Sequence, residues 1–192
     1  MSPQALLAEL ERKGEENDAR TTERCRKYLN ITRDTGQFLA VLLKAMQASS
    51  VLEIGTSNGY STLWLAASIV ESGRITTVEV SPDKVREARD NFARAGLAHK
   101  IQQIEGSAAD YLRAQKACFD VVFLDAERSE YMGFADDVVA ALKPGGVLVC
   151  DNAVSHQAEL ADFMAHIESL PAFTTCLVPV GKGEFVAYKE AE

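Results

Sequence analysis

Val51-Leu52-Glu53-Ile54-Gly55-Thr56-Ser57-Asn58-Gly59-Tyr60-Ser61-Thr62 reads as a short apolar strand, a glycine-bearing turn and the start of a helix. Gly55 lets the backbone turn tightly and approach a ligand, and Gly59 allows close passage at the helix start, where free N–H groups favour an electron-rich group. In open α/β sheets ligands bind at such carboxyl ends of strands. The spacing here is G-x-x-x-G, without the third glycine of the dinucleotide fingerprint G-x-G-x-x-G. By itself the turn, Thr56 and Ser57 included, reads either as a ligand loop or as a plain strand-to-helix connection.

Outward from this turn, short apolar runs alternate with helical patterns, which is the grammar of an α/β domain. Strands are expected at Val51–Ile54, Ile75–Val80, Ile101–Ile104, Phe119–Leu124 and Gly146–Cys150. Most lack polar alternation, as strands buried on both faces do. Helices are expected at Ser61–Val70, Ser81–Ala95, Ala108–Gln115 and Tyr131–Leu142, the second with Ser81 as N-cap, Pro82 in its first turn and Gly96 as its stop. A helix around Gln157–Leu170 is followed by Phe173–Val180, Gly181-Lys182-Gly183 and Glu184–Lys189, which reads as a terminal antiparallel hairpin. Before the core, a helix at Gly36–Met46 and a first helix with Leu6, Leu7 and Leu10 on one face precede it, the charged stretch Glu11–Lys27 reading as solvated helix. The organisation expected is one domain over 1–192, with 1–46 as a helical appendage and 50–192 as the α/β core.

The 192 residues suit one core, and 20 Lys plus Arg against 28 Asp plus Glu give a net charge of −8. That charge repels a phosphate backbone or an anionic lipid surface, so nucleic acid and membrane are not expected partners. Apolar runs such as Leu63–Val70 fall far short of the roughly 18 residues a span requires. Glu9, Glu11, Glu15 and Glu16 stand where a signal peptide needs a basic start and an apolar stretch, so a cytoplasmic location is expected. Cys25, Cys118, Cys150 and Cys176 are scattered with no metal or redox spacing and are expected as free thiols in or near the core.

Three strand ends carry chemistry. Glu79 ends the second strand twenty residues beyond Gly59, where a nucleoside-binding α/β protein places a carboxylate for both ribose hydroxyls. Gly106, Ser107 and Ala108 follow the third strand, small enough for the edge of an adenine ring. The fourth and fifth strands end in Asp125 and in Asp151-Asn152, so two carboxylates and an amide converge on one crevice. Unneutralised, such carboxylates raise one another's pKa, and a hard divalent ion such as magnesium resolves the conflict. The alternative is structural, with Asp125 capping a helix or turn and Asp151-Asn152 forming an Asx turn.

With these residues in place, the sequence resembles the class I methyltransferases that use S-adenosylmethionine, specifically the metal-dependent catechol and caffeoyl-CoA O-methyltransferases. The resemblance spans about residues 29 to 189. It is carried by Val51–Thr62, by Phe119–Asp125 with Ala126 and Tyr131, by Lys143-Pro144-Gly145-Gly146 leading to Asp151-Asn152, and by Leu29-Asn30-Ile31 through Gly36. It implies a Rossmann-like, doubly wound seven-stranded sheet, mostly parallel with a terminal antiparallel hairpin and helices on both faces. It also implies that Glu53, Gly55, Gly59, Tyr60 and Ser61 surround the methionyl part of the cofactor, with Glu79 on ribose and Ser107 near adenine. Asp125, Asp151 and Asn152 match the family's metal ligands, Asp125 also bordering the cofactor.

One departure bears on mechanism. The family carries a Lys three residues after its first metal Asp, thought to deprotonate the acceptor hydroxyl, and this chain has Arg128 there. Arginine cannot act as a base at neutral pH, though it can stabilise a phenolate. His156, five residues after Asp151, is the other candidate base, its structural reading being an exposed His at a helix start. The connection after Asn152 is shorter than the family's usual acceptor loop. The expected function is therefore methyl transfer to a hydroxyl of a small, catechol-like or other phenolic acceptor. Two rivals are a cofactor-binding protein that acts through partner contacts without catalysis and an NAD-dependent oxidoreductase. The Leu6, Leu7 and Leu10 stripe offers a surface for a homodimer.

Overall fold

The computed structural model describes residues 3–191. Met1, Ser2 and Glu192, which close the expected domain at its two ends, lie outside the described residues. Strands β1 (Ser50–Ile54), β2 (Arg74–Glu79), β3 (Ile101–Glu105), β4 (Phe119–Leu124), β5 (Leu142–Cys150), β6 (Phe173–Val178) and β7 (Glu184–Lys189) form one sheet in the order β3-β2-β1-β4-β5-β7-β6. The first five are parallel, and β7 runs antiparallel to both β5 and β6. The mostly parallel sheet with a terminal hairpin is therefore as the sequence implied.

The helices are α1 (Pro3–Arg20), α2 (Arg33–Met46), α3 (Tyr60–Ala66), α4 (Pro82–Ala95), α5 (Ala108–Leu112), α6 (Ala135–Ala141) and α7 (Gln157–Glu168). Side chains alternate across each strand, and here both faces are apolar. Val51, Val121, Phe123, Val147 and Val149 pack under α1 to α4, whereas Leu52, Ile54, Val122, Leu124 and Leu148 pack under α5 to α7. Crossovers from β1 through β3 thus cover one face and those from β3 onward the other. The winding reverses between β1 and β4, which pair from Val51 with Val121 to Ile54 with Leu124.

Several boundaries differ from expectation, each for a local reason. The helix after Gly59 stops at Ala66, because the rest of its apolar run turns back: Ser68 and Ile69 N–H groups donate to the Leu65 carbonyl, and Val70 N–H to Ala48. The helix expected from Tyr131 splits into a 3-10 segment, Arg128–Phe134, and α6, with Leu142 already in β5. Lys143-Pro144-Gly145-Gly146 lies within β5 beside a register shift against β4. Of the four cysteines only Cys150 is buried; Cys25, Cys118 and Cys176 are exposed, a correction to the expected core placement. Among the described residues no helix is long and apolar enough to cross a membrane.

The largest correction concerns the N-terminus. Leu6, Leu7 and Leu10 are buried in the same cluster as Val51 and Phe123, so α1 is part of the core and not an appendage. The stripe is consumed within the chain and offers no surface to a second copy. The solvated helix expected through Lys27 ends at Arg20, and the chain returns across the sheet edge through a 3-10 turn at Arg24–Arg26. Replacing fully buried Leu10 by Ala should therefore destabilise the protein by about 3 kcal/mol in urea unfolding, as core leucines do. An unchanged midpoint would detach α1 from the core.

Candidate functional site

The reversal of winding opens a crevice at the carboxyl ends of β1 and β4, as in other open α/β sheets. A cavity of about 510 Å³ occupies it. Its floor depends on Gly55, whose φ of +105° and lack of a Cβ bring the backbone against Asp125; an added Cβ would stand 2.2 Å from the Asp125 carbonyl oxygen. Gly55 N–H donates to Val78 O at 3.0 Å, and Asp125 N–H to Ile54 O at 2.9 Å, which locks the three strand ends together.

At one end of the cavity, Glu79 is fixed by two backbone donors. Ser57 N–H reaches its Oε2 and Ser81 N–H its Oε1, both at 2.9 Å. Ser57 adopts φ +48° to make this contact, and its hydroxyl donates to Tyr28 O at 2.8 Å. Gly106 and Ala108 lie on the same wall with Val80, an apolar side chain left 69% exposed just beyond β2. Tyr28 through Ile31 supply the outer wall.

The opposite end collects acidic groups. Asn152, at φ +69°, donates through Nδ2 to Asp151 Oδ2 at 2.9 Å and to Asp125 Oδ1 at 3.4 Å. Asp151 Oδ1 is buried with no hydrogen-bond partner. Burial first, then the nearby Asp151 charge, push the Asp125 carboxyl well above its usual range, with Lys182 opposing. Glu184, absent from the sequence-derived site, accepts from Thr35 Oγ1 at 2.8 Å while its Oε2 has no partner. Burial and Asp151 raise it to about 9, so Glu184 holds a proton at neutral pH.

Among the described residues, no group of three or more His, Cys, Asp or Glu is placed to hold a metal. The remaining possibility is the mixed set of Asp125, Asp151 and Asn152. Asn152 Nδ2 holds the two carboxylates together at 2.9 and 3.4 Å, and a hard divalent cation would take oxygen donors of this kind. A half-turn of the amide would present its oxygen to the same point. The Asp125 and Asp151 carboxyls, whose charges oppose each other in a buried corner, fit a cation, and protonated Glu184 relieves part of the same conflict through its contact with Asp151.

Of the expected residues, Gly55, Thr56, Ser57, Ser61, Glu79, Gly106, Ala108, Asp125, Arg128, Asn152 and His156 line the cavity. Five do not. Gly59, at φ +86°, faces Phe92, whose ring an added Cβ would meet at 2.5 Å, and Tyr60 is buried in the core. Ser107 stands at the α5 N-cap without a capping bond, and Asp151 lies behind Asn152. Glu53 is fully buried beneath the floor, accepting from Thr62 Oγ1 at 2.5 Å and Thr77 Oγ1 at 2.6 Å, while Thr77 in turn bonds Thr56 at 2.6 Å. It reaches the cavity only through these hydroxyls.

Arg128 is itself largely buried, and its Nε donates to Glu159 Oε2 on α7 at 2.8 Å. His156 is half-buried on the wall, with Nδ1 2.9 Å from Ser155 Oγ. Lys182 is a further wall residue that composition and spacing did not reveal. Its signal was present in the hairpin turn, where two glycines leave one side chain to display.

A mostly parallel sheet of this order, carrying a fixed carboxylate at the end of β2 and an acidic corner after β4 and β5, is the doubly wound α/β architecture of the class I methyltransferases. The family profile described as O-methyltransferase matches residues 4–189, and the chain belongs to that family. Catechol O-methyltransferase from Mycobacterium tuberculosis is 36% identical over 133 residues, covering 69% of this chain and 60% of that protein. The chain spans about 60% of the length of the first curated relatives it matches. Caffeoyl-CoA O-methyltransferase 5 from Nicotiana tabacum is 27% identical over 179 residues, covering 81% and 75% of the two chains. Among solved structures, the O-methyltransferase TomG from Streptomyces achromogenes, in complex with SAM, superposes with a TM-score of 0.82 at 27% identity, covering 97% of this chain and 90% of that one.

Burial raises the Glu53 carboxyl from 4.5 to about 7, against the hydroxyls of Ser61, Thr62 and Thr77. The folded state then binds this proton more tightly than the unfolded chain, so the contribution is fully present below pH 4.5 and is lost as pH rises to about 7. The loss amounts to about 3 kcal/mol. Glu53→Gln should flatten the stability profile across that window in denaturant titrations; parallel profiles for the two proteins would disprove the assignment.

Proposed function

We propose that the protein moves the methyl group of S-adenosylmethionine to a hydroxyl of a small catechol-like or other phenolic acceptor, with a divalent cation, magnesium by its chemistry, at the acidic corner. The observation that carries this reading is the continuity of one cavity from Glu79 to Asp125 and Asn152. A nucleoside and an acceptor can lie in it end to end. The names of the relatives support the same acceptor class.

Two backbone donors hold Glu79 in place and leave its other lone pairs for vicinal ribose hydroxyls. Val80 and Ala108 offer apolar contact to the base. When bound, the sulfonium supplies a methyl that is already activated. The chain must then hold the acceptor oxygen about 3 Å away, in line, and stabilise its negative charge. Asp125, Asp151 and Asn152 would hold a hard cation, which lowers a hydroxyl's pKa. His156 stands on the wall where it can take the hydroxyl proton, directly or through water. Arg128, tied to Glu159 on α7, orients the 3-10 segment that carries it.

That tie also favours a second reading, a protein that binds S-adenosylmethionine without turnover. Calorimetric titration of S-adenosylhomocysteine, with magnesium, with chelator and with NAD as a control ligand, tests the nucleoside site. Radiolabelled methyl transfer to catechol then separates enzyme from binder. Asp151→Ala should abolish metal-dependent turnover and leave homocysteine-nucleoside affinity unchanged; full activity of that variant in excess chelator would remove the metal role. A folded chain that binds NAD and not the homocysteine nucleoside would favour the oxidoreductase.

A further inference from the structure

We propose that Lys182 faces the acceptor oxygen and holds it as an oxyanion during methyl transfer. This rests on the methyl-transfer reading and adds to it a residue from the β6–β7 turn.

The turn is built to present one side chain. Gly181 and Gly183 have φ of +56° and +91°, and neither has room for a Cβ: at Gly181 it would meet the Thr35 hydroxyl, and at Gly183 the Val154 side chain. Lys182 lies between them, half-buried and on the cavity wall. Its backbone is fixed to the segment that follows Asn152. Val154 and Ser155 N–H groups donate to Lys182 O at 3.2 and 3.0 Å, and Ala153 N–H to Gly183 O at 2.8 Å. The backbone of Lys182 is therefore anchored to the same short stretch of chain that carries Asn152 and His156.

The arginines near this end each face a carboxylate, although Arg128 Nη2 is left without a partner. Arg128 is bound to Glu159 at 2.8 Å, and Arg24 lies 3.9 Å from Glu127. Among the described residues, no ion pair within 4.0 Å forms on Lys182, although its charge acts on Asp125 more strongly than that of Arg128 does. The acidic corner already holds Asp125 and Asp151, with Glu184 beside them. An acceptor that loses its hydroxyl proton adds another negative charge in a partly desolvated site, where an opposing charge acts far more strongly than in water.

In the step envisaged, the hydroxyl proton passes to His156, directly or through water. The acceptor oxygen's lone pair forms the O–CH3 bond while the C–S pair returns to sulfur, yielding the neutral thioether. Lys182 keeps all its protons throughout and acts by charge alone. Arginine can therefore replace it in kind, and an uncharged residue cannot.

The test compares the full chain with Lys182→Met and Lys182→Arg. Calorimetric affinity for S-adenosylhomocysteine reports the nucleoside site, and acceptor kcat and KM with catechol report turnover. The visible phenolate band of 4-nitrocatechol, added with S-adenosylhomocysteine and magnesium at one fixed pH, reports the charge on a bound acceptor without any chemistry. Lys182→Met should lower kcat on the order of tenfold to a hundredfold, weaken the phenolate band and leave S-adenosylhomocysteine affinity unchanged. Lys182→Arg should restore most of both signals. Wild-type kcat and an unaltered band in the Met variant would overturn the role of Lys182 alone, as would an Arg variant no better than Met. If the wild-type chain itself neither binds S-adenosylhomocysteine nor methylates catechol, the methyl-transfer reading falls, and this proposal with it.

Discussion

Gly55 stands with its α-carbon against the backbone of Asp125, at a distance that excludes any side chain: a Cβ would come within 2.2 Å of the carbonyl oxygen. The contact lies where the sheet reverses its winding, so it joins two halves whose crossovers leave in opposite directions. Because β1 and β4 end touching, the loop that carries Ser57 and the corner that begins with Asp125 share one floor. A bulkier residue at Gly55 would part these ends and divide the cavity between them. The geometry of the candidate reaction thus depends first on an absence of atoms.

The second constraint is buried negative charge, handled in two ways. Glu53 is given hydroxyl donors from Thr62 and Thr77 and sits at the centre of a network that ends at Thr56 on the floor. A buried carboxylate so supplied is a structural element. The corner is different in its density of charge, because burial and the Asp151 charge raise the carboxyls of both Asp125 and Glu184 there, whereas the charge that adds to burial at Glu53 is that of Glu79. Glu184 reduces the conflict by carrying a proton, Asn152 by donating to both aspartates, and Lys182 by its charge. What remains is a site electrostatically incomplete at one end and complete at the other.

The sequence made the sheet legible because strands buried on two faces leave short, dense apolar runs, and capping residues such as Ser81 and Gly96 mark the helix between β2 and β3 without ambiguity. Thr-to-Gly details of the floor were legible for the same reason: Gly55 and Glu79 occupy strand ends fixed by topology. Glu53 and Tyr60 adjoin those ends in sequence, yet strand alternation and the helix start turn them inward, and no local pattern distinguishes a wall residue from one a layer below. Glu184 and Lys182 come from a hairpin some thirty residues beyond Asp151 and reach the corner only through the antiparallel pairing of β7 with β5. Contacts of that kind have no local signature. The N-terminal stretch misled for a further reason: its stripe of Leu6, Leu7 and Leu10 was legible, but no local pattern says that the surface it covers is this chain's own sheet.

Those leucines also bear on the site. In the last turn of α1, Asp18 accepts from Tyr28 N–H and Leu29 N–H, both at 2.8 Å, and Tyr28 O accepts from the Ser57 hydroxyl. The ion pair between Arg24 and Glu127 spans the same region, but at 3.9 Å with both side chains about half exposed it adds little. The outer wall is therefore tied to α1 through Asp18 and through Asn30 Nδ2, which donates to Leu10 O at 3.2 Å, as well as to Ser57 and to Glu87 on α4. The floor, by contrast, is fixed within the sheet, through Gly55 N–H on Val78 O and Asp125 N–H on Ile54 O. Core packing at the N-terminus and access to the nucleoside end of the cavity are in this way one mechanical system, although nothing in α1 touches the reacting groups.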